Sequence, residues 1–194
     1  RVFSRGGGGL CGDNLTWEMD EDGVLTITGT GDMWDYLLDN PAPWYAQLKD
    51  LITRVEFEEG ATSIGNYAFY DMTKLVKCII PESLIRIGNY AFSGCVSIER
   101  IVIPENVTYV GKGAFNNCTN MISYSCAGTP TYGGYVFSGC KKLREIVLPE
   151  GVLSVGAHAF ENCVEINRAI LPESLQSIGE KAFYGCDSLE EIYI

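Results

Sequence analysis

Hydrophobic residues recur along most of this chain with a period of about 23 positions. The most regular signal is a phenylalanine inside the phrase Ala-Phe-x-x-Cys or a near copy of it, and successive copies lie 23, 23, 22, 23 and 23 residues apart. The phenylalanines are Phe69, Phe92, Phe115, Phe137, Phe160 and Phe183, named the Phe column below. A period of this length predicts a solenoid, in which each repeat buries its apolar side against the next one.

The first part of each repeat carries the pattern of a short β-strand. In residues 98–104, for example, Ile101 and Ile103 alternate with Val102, so the isoleucines point to one face and the valine to the other. Proline follows in four repeats, as at Pro104, and ends the strand because it cannot donate to the ladder. Each repeat therefore predicts a strand with two inward residues and an outward residue between them.

The second part of each repeat predicts a shorter strand and a turn. An apolar pair such as Val107 and Val110 follows the proline, and a glycine then recurs at the same position in every repeat. That glycine indicates either a positive φ or a place with no room for a Cβ. The Ala-Phe-x-x-Cys phrase predicts a short helical or 3₁₀ turn. The sequence therefore predicts a mainly β solenoid of six repeats over residues 51–194, with either hand possible for the coil.

Residues 11–50 differ from the repeats, and we expect them to form an N-terminal β-hairpin cap. Leu15–Met19 and Val24–Thr28 alternate apolar with polar residues, and the intervening Asp20–Gly23 supplies turn residues. A solenoid end must be covered for the protein to stay soluble. Residues 1–10 are rich in glycine, so we expect a flexible linker or a remnant of cloning there.

All three tryptophans, Trp17, Trp34 and Trp44, lie in the predicted cap. One interpretation is that they form a hydrophobic plug over the first coil. The other is that they form a platform for sugar rings, because an aromatic face suits the apolar side of a pyranose. The sequence leaves both interpretations open.

Five of the eight cysteines occupy the same place in successive repeats, and Met72 occupies it in the first repeat. A position that accepts methionine is an apolar core position, and free cysteine behaves as a small hydrophobe, so we expect buried thiols. A disulfide framework is the alternative. Zinc binding is not expected, because the sequence has no Cys-x-x-Cys motif and no histidine pair.

The charge balance limits the partners. The chain has 14 lysines and arginines against 25 acidic residues and a net charge of −11, which argues against nucleic acid. We expect no membrane insertion, because no apolar run approaches about 18 residues.

The chain has no signal-peptide pattern and begins at Arg1, which favours a mature product or an excised fragment. It stops at Ile194, inside a predicted strand, so we expect a fragment of a longer protein or self-association through that uncapped end.

The sequence offers no constellation for catalysis, cofactor binding or metal binding, and we do not expect an enzyme. The single histidine, His158, is expected at the surface, and a dyad with Cys163 is disfavoured because that cysteine belongs to the buried set. Asp20, Asp22 and Gly23 resemble the start of a calcium loop. They lack the bidentate glutamate that closes such a loop, so a solvated hairpin turn is favoured.

The repeat Leu-x-x-Ile-x-Ile-Pro-x-x-Val-x-x-Ile-Gly-x-x-Ala-Phe-x-x-Cys closely resembles the BspA-type leucine-rich repeat over about residues 51–194. The preceding segment, with Leu15-Thr-Trp17, Gly23–Gly29 and Pro43-Trp44, resembles an element that often precedes such repeats in bacterial surface proteins. The resemblance implies a leucine-rich-repeat-like solenoid that is extracellular or attached to the cell surface. Adhesion or binding of host protein is the function it implies.

The outward strand positions are the leading candidate for a binding surface. If neighbouring strands stack in register, these positions form a continuous apolar stripe with mixed charges beside it, as an interaction surface has. The alternative is that β-branched residues simply favour strands. The positions, named the strand face below, are Ile79, Val102, Ser125, Val147, Ile170 and Tyr193.

Two further features are weaker candidates. One is the aromatic column of Tyr67, Tyr90 and Tyr135. The other is the fourth repeat, which is one residue shorter, has Ala127 in the place of proline and has Tyr132 in the place of isoleucine. That repeat is either a coil with a tightened corner or a kink that shapes a binding pocket.

Two functions from different classes follow from the sequence and the resemblance. The first is a non-catalytic secreted or cell-surface module that adheres to a host protein or glycan through the strand face. The second is a structural spacer that presents another domain and has no ligand of its own. Neither function requires a cofactor.

Overall fold

The computed structural model describes residues 7–194, and over this range the chain is a mainly β solenoid, which confirms the predicted fold class. The described residues form seventeen strands and one helix, α1 (Tyr45–Leu48). The strands are β1 (Gly7–Leu10), β2 (Leu15–Met19), β3 (Val24–Gly29), β4 (Gly31–Asp32), β5 (Arg54–Phe57), β6 (Ala61–Ile64), β7 (Lys77–Ile79), β8 (Arg86–Ile87), β9 (Arg100–Ile103), β10 (Tyr109–Val110), β11 (Ser123–Cys126), β12 (Thr131–Tyr132), β13 (Glu145–Val147), β14 (Ser154–Val155), β15 (Arg168–Ile170), β16 (Ser177–Ile178) and β17 (Glu191–Tyr193).

Successive repeats stack their strands into two parallel ladders. The shorter second strands form an unbroken seven-stranded sheet of order β16-β14-β12-β10-β8-β6-β4. The first strands form the runs β3-β5-β7, β9-β11 and β13-β15-β17, with parallel pairing inside each run. Over residues 7–194, hydrogen-bonded pairing of first strands is thus interrupted between β7 and β9 and between β11 and β13.

The Phe column runs through the centre of the core. Phe115 stacks on Phe92 with ring centroids 5.3 Å apart and on Phe137 with centroids 5.8 Å apart. Trp44 continues the stack at the N-terminal end, where its ring lies 5.5 Å from that of Phe69. From Phe69 to Phe160, each coil therefore buries its aromatic ring between the rings of its two neighbours, which is why an isolated repeat has no core of its own.

The Ala-Phe-x-x-Cys segments form hydrogen-bonded turns that do not extend into helices. The Cys95 N–H donates to the Phe92 carbonyl at 3.1 Å, three residues back. Left-handed residues flank this turn, with φ of 55° at Tyr90 and 75° at Gly94, so a right-handed helix cannot propagate in either direction. The next coil holds the turn in place, because the Phe92 N–H donates to the Ala114 carbonyl at 2.8 Å.

The recurring glycine is explained by space and not by φ. At Gly156, a Cβ would lie 2.4 Å from the backbone nitrogen of Gly134 in the preceding coil. A substituent there collides with backbone on the neighbouring coil, so only glycine permits this spacing. The left-handed conformation occurs two residues further on, at Tyr67, Tyr90, Gly113, Tyr135, His158 and Lys181.

The N-terminal hairpin forms between the strands predicted for it and extends the ladder of first strands. β2 pairs antiparallel with β3, and Oδ1 of Asp20 closes the turn by accepting from the N–H groups of Asp22 and Val24 at 2.8 and 3.0 Å. β3 then pairs in parallel with β5. The cap and the first repeat therefore share one sheet.

The linker predicted over residues 1–10 is wrong for residues 7–10. These residues form β1, which pairs antiparallel with β2 from Gly7 opposite Met19 to Leu10 opposite Thr16. Glycine lacks a side chain but keeps both backbone hydrogen-bonding groups, so a glycine run is able to complete a ladder. Residues 1–6 lie outside the described residues.

The repeat cysteines are free thiols, and they do more than fill space. Sγ of Cys118 is buried and donates to the Phe92 carbonyl in the preceding coil at 3.2 Å. The four other repeat cysteines make the same bond with lengths of 3.1 to 3.2 Å. Burial raises the pKa of Cys118 from 9.0 to about 12, because the thiolate would lose its hydration inside the coil.

We expect the free energy of unfolding to fall as the pH rises above 9.0, the pKa of an exposed thiol, and to keep falling toward about pH 12. The folded state binds the thiol proton more tightly than the unfolded state. The stabilisation that results is complete below the pKa of the exposed thiol and is lost as the pH rises to the pKa of the buried thiol. Each such thiol contributes a slope of about 1.4 kcal/mol per pH unit. Urea unfolding at a series of pH values in this range measures the free energy of unfolding, and its decrease per pH unit should be smaller by about that amount in Cys118→Ala. An unchanged pH dependence in Cys118→Ala would contradict the raised pKa of the Cys118 thiol.

Candidate binding surface

The strand face has the alternating exposure that its sequence pattern predicts. In β9, Ile101 and Ile103 are buried, whereas 70% of Val102 is exposed between them. In β13, Ile146 is buried and Val147 is 48% exposed. The apolar side chains on this surface are therefore outside the core and available for contact with another molecule.

The register of the paired first strands places some strand-face residues side by side, within separate runs of strands. Ser125 lies opposite Val102, and Ile170 lies between Val147 and Tyr193 on the neighbouring strands. Because pairing is interrupted on both sides of β9-β11, the expectation of one continuous ladder is wrong, and the stripe is divided into three runs. Binding by these six positions stays a prediction.

The fourth repeat accounts for one interruption. Tyr124 and Tyr132 replace smaller apolar residues in the core, and their hydroxyls share a hydrogen bond of 2.8 Å. The Tyr124 ring also lies 4.6 Å from the Phe137 ring, edge to face. A depression of about 230 Å³ opens between β11 and β13. It is lined by Ile122, Ser123, Tyr124, Arg144, Glu145 and Val147, so the irregular repeat forms a pocket beside the strand face.

The aromatic column forms two separate stacks on the turn side of the coil. Tyr67 and Tyr90 stack with centroids 5.2 Å apart, and Tyr135 stacks on His158 at 4.5 Å. The column is interrupted at Gly113, where a Cβ would lie 2.4 Å from the Tyr90 ring. The left-handed backbone of these residues holds their rings one above another.

His158 is half-buried, which corrects the expectation that it lies at the surface. Its Nδ1 is hydrogen-bonded to Oε2 of Glu161, and its ring covers Tyr135. Cys163 is fully buried and donates to the Phe137 carbonyl at 3.1 Å. Both side chains are thus engaged in separate structural contacts.

Two of the three tryptophans form the hydrophobic plug, and the third lies outside it. Trp44 is fully buried, and its Nε1 donates to the Ala68 carbonyl at 2.8 Å. Trp17 packs edge to face on Trp44 at 5.7 Å, so these two form the hydrophobic plug. Trp34 is different, because 42% of it is exposed.

The described residues show two further negative results. In the range 7–194, no group of three or more histidine, cysteine or acidic side chains is arranged to hold a metal ion. Over the same range, no helix has the length and apolar character that crossing a membrane requires.

The coil geometry and the exposed strand residues are those of a leucine-rich-repeat solenoid, a class built around repeated surface strands. The sequence model of the BspA type leucine rich repeat region matches six copies, over residues 45–132 and 128–194. The chain belongs to this BspA-type leucine-rich repeat family, as its repeats indicated.

Solved structures share the fold. A leucine rich cell surface protein from Faecalibacterium prausnitzii is similar with a TM-score of 0.73 and 22% identity, covering 93% of this chain and 53% of that one. A leucine-rich repeat protein from T. pallidum is similar with a TM-score of 0.64 and 26% identity, covering 90% and 87%. This chain therefore spans about half of the first protein. No curated protein matches it. Leucine-rich repeat proteins are generally non-catalytic binding modules, and the similarities provide no evidence for an enzyme.

Proposed function

We propose that this chain is a non-catalytic interaction module that binds a host protein through the strand face. The observation that carries the proposal is the exposure of Val102 and Val147 on strands whose inward residues are buried. Exposed aliphatic side chains on a rigid sheet offer contact area without an ordering cost for the backbone. They are therefore suited to the apolar centre of an interface.

The charges beside the stripe support a protein partner. The whole chain carries a net charge of −11, yet the outward positions beside the stripe carry both signs. They are Arg54, Lys77, Arg100, Arg144 and Arg168 together with Glu99, Glu145, Glu190 and Glu191. Apolar residues within a mixed polar rim are typical of protein interfaces. A sugar would favour exposed aromatic rings, and Tyr193 is the one ring among the six strand-face positions.

The proposal includes a location outside the cell, either secreted or on the cell surface. The family and the description of the Faecalibacterium protein as a cell surface protein support it. A module there meets host proteins directly. Through the strand face, the module would attach to host material and so act as an adhesin.

We expect a double variant, Val102→Asp with Val147→Asp, to bind its partner at least about tenfold more weakly, because two charges would be buried in the apolar centre of the interface. Surface plasmon resonance first identifies which proteins of a panel of purified matrix proteins bind the unsubstituted chain. The affinity of the double variant for those proteins is then measured in the same way. Circular dichroism should show an unchanged fold, since both side chains point away from the core.

Leu153→Asp is the matched control. Leu153 is 53% exposed and immediately precedes β14, so it carries the same change on the other ladder of strands. It should leave binding unchanged. Equal binding by the double variant and the unsubstituted chain would overturn the strand-face proposal. If no panel protein binds the unsubstituted chain, the spacer function is favoured instead.

A further inference from the structure

The cap contains a cleft that is separate from the strand face. It has a volume of about 390 Å³. It is lined by Leu10, Trp34, Asp35, Tyr36, Asn40, Pro41 and Pro43. This volume falls within the range of small-molecule sites, about 300 to 1,000 Å³. The cleft combines an exposed aromatic ring with polar side chains, which distinguishes it from the aliphatic strand face.

Trp34 is held in a fixed orientation although its ring is exposed. Its backbone N–H donates to the Cys11 carbonyl at 2.8 Å, and its indole Nε1 donates to Oδ1 of Asp13 at 3.0 Å. The backbone carbonyl of Trp34 also packs so closely on Gly65 that a Cβ there would lie 1.9 Å away. An exposed ring that is already ordered loses little entropy when a ligand stacks on it.

Polar groups lie beside this ring. Oδ1 of Asp35 accepts a hydrogen bond from the Asn66 N–H at 2.8 Å, which orients the carboxylate. Within residues 7–194, no hydrogen bond reaches Oδ2 of Asp35, so that oxygen is available to accept one. The exposed amide of Asn40 provides both a donor and an acceptor. Pro41 forms a stiff wall, because its φ is fixed.

We propose that this cleft binds a neutral pyranose, with the apolar face of the sugar on Trp34 and its hydroxyls on Asp35 and Asn40. The C–H groups of a pyranose face carry partial positive charge and are attracted to the negative face of an indole. A hydroxyl donates to a carboxylate and exchanges hydrogen bonds with an amide. These are the groups that the cleft presents.

The acidic side chains at the cleft disfavour anionic sugars. Asp13 and Asp35 both lie at the Trp34 ring or in the wall beside it. Among residues 7–194, Arg86 forms a salt bridge with Asp35, its guanidinium nitrogen lying 3.6 Å from Oδ1. A sialic or uronic acid would bring a third carboxylate to this group, and like charges there oppose binding.

A proline-rich peptide fits the cleft less well. Grooves that bind such peptides present several exposed aromatic rings, whereas Tyr36 is buried and directs its hydroxyl to the Cys11 carbonyl at 3.4 Å. Among the described lining residues, Trp34 is then the exposed aromatic ring. One flat ring with a carboxylate and an amide beside it favours a sugar.

Titration with lactose and cellobiose, followed by the indole N–H resonances in NMR, tests the proposal. We expect a saturable shift of the Trp34 resonance by at least one of these disaccharides, with the resonances of the buried Trp17 and Trp44 unmoved. Sialyllactose, the anionic counterpart, should bind more weakly than lactose. Trp34→Ala should weaken disaccharide binding at least about fivefold, measured by saturation transfer to the sugar.

Two controls keep the test specific. Leu38→Ala, at a side chain that is 59% exposed and outside the cleft, should bind the disaccharide normally. The Val102→Asp, Val147→Asp variant should also bind it normally, since the strand face is a different surface. The proposal is overturned by no saturable shift with either disaccharide, by normal binding in Trp34→Ala, or by a proline-rich peptide shifting Trp34 where both sugars do not.

Discussion

Phe115→Ala is expected to lower the free energy of unfolding by about 3 to 5 kcal/mol, the range for losing a large buried aromatic side chain. Phe115 is fully buried between Phe92 and Phe137, whose rings stack on it at 5.3 and 5.8 Å. Its removal opens a cavity in the middle of the Phe column, and the adjacent coils are too tightly hydrogen-bonded to close it. Because each repeat is stabilised by its neighbours, the loss affects two interfaces at once. Urea unfolding monitored by circular dichroism measures it.

Phe183→Ala provides a control with the same chemistry. Phe183 is half-buried and stacks on one described ring of the column, that of Phe160 at 5.2 Å. We therefore expect a smaller loss, about 1 to 2 kcal/mol. Equal losses in the two variants would show that stacking on both sides does not determine the contribution of a ring in this column.

Gly156→Ala is expected to cost about 2 to 3 kcal/mol or more, although it adds a single methyl group. The φ of Gly156 is not in the left-handed region, so the cost comes from space. A Cβ would lie 2.4 Å from Gly134 N and 2.6 Å from Gly133 C, and neither backbone atom is able to rotate away. The two coils would have to separate along the ladder between β12 and β14, where Tyr132 pairs with Val155. Thermal and urea unfolding measure the change.

Gly134→Ala is the matched control for this substitution. Gly134 lies in the same corner and also lacks a left-handed φ, but the nearest atom to its Cβ would be the Ala157 carbonyl oxygen at 3.1 Å. A movement of a few tenths of an ångström accommodates that contact, so we expect a change within about 1 kcal/mol. If both variants were equally stable, contact between coils would not be the reason for the recurring glycine.

The candidate sites were predictable to different degrees. The strand face followed from alternation, because period two along β9 places Val102 opposite to Ile101 and Ile103 whatever the rest of the coil does. The cap cleft was predictable only as an aromatic and proline-rich segment. Its polar side, at Asp35, depends on Asn66 from the first repeat, 31 residues away. Nothing local in the sequence indicates that contact.

The left-handed backbone at Tyr90, Gly113 and His158 was harder to predict from the sequence, for a different reason. Tyrosine is not typical of positive φ, so Tyr90 gave no sign of it. Histidine is enriched there, so His158 was a weak signal, and Gly113 in the same column was a stronger one. The interruption at β11 had a signal too, in the missing residue and Tyr132. Its effect on pairing depends on how a large ring shifts one coil against the next, which residue identity does not give.

The sequence by itself determined the period, the two strands in each repeat, the inward and outward positions and the family, because these depend on local alternation and on regular spacing. Only the tertiary structure decided how adjacent coils meet. It assigned the recurring glycine to close backbone contact, since glycine satisfies both a positive φ and a lack of space. It also divided the strand face into three runs and left Trp34 exposed while burying Trp17 and Trp44. Those outcomes depend on distances between residues that are far apart in the chain.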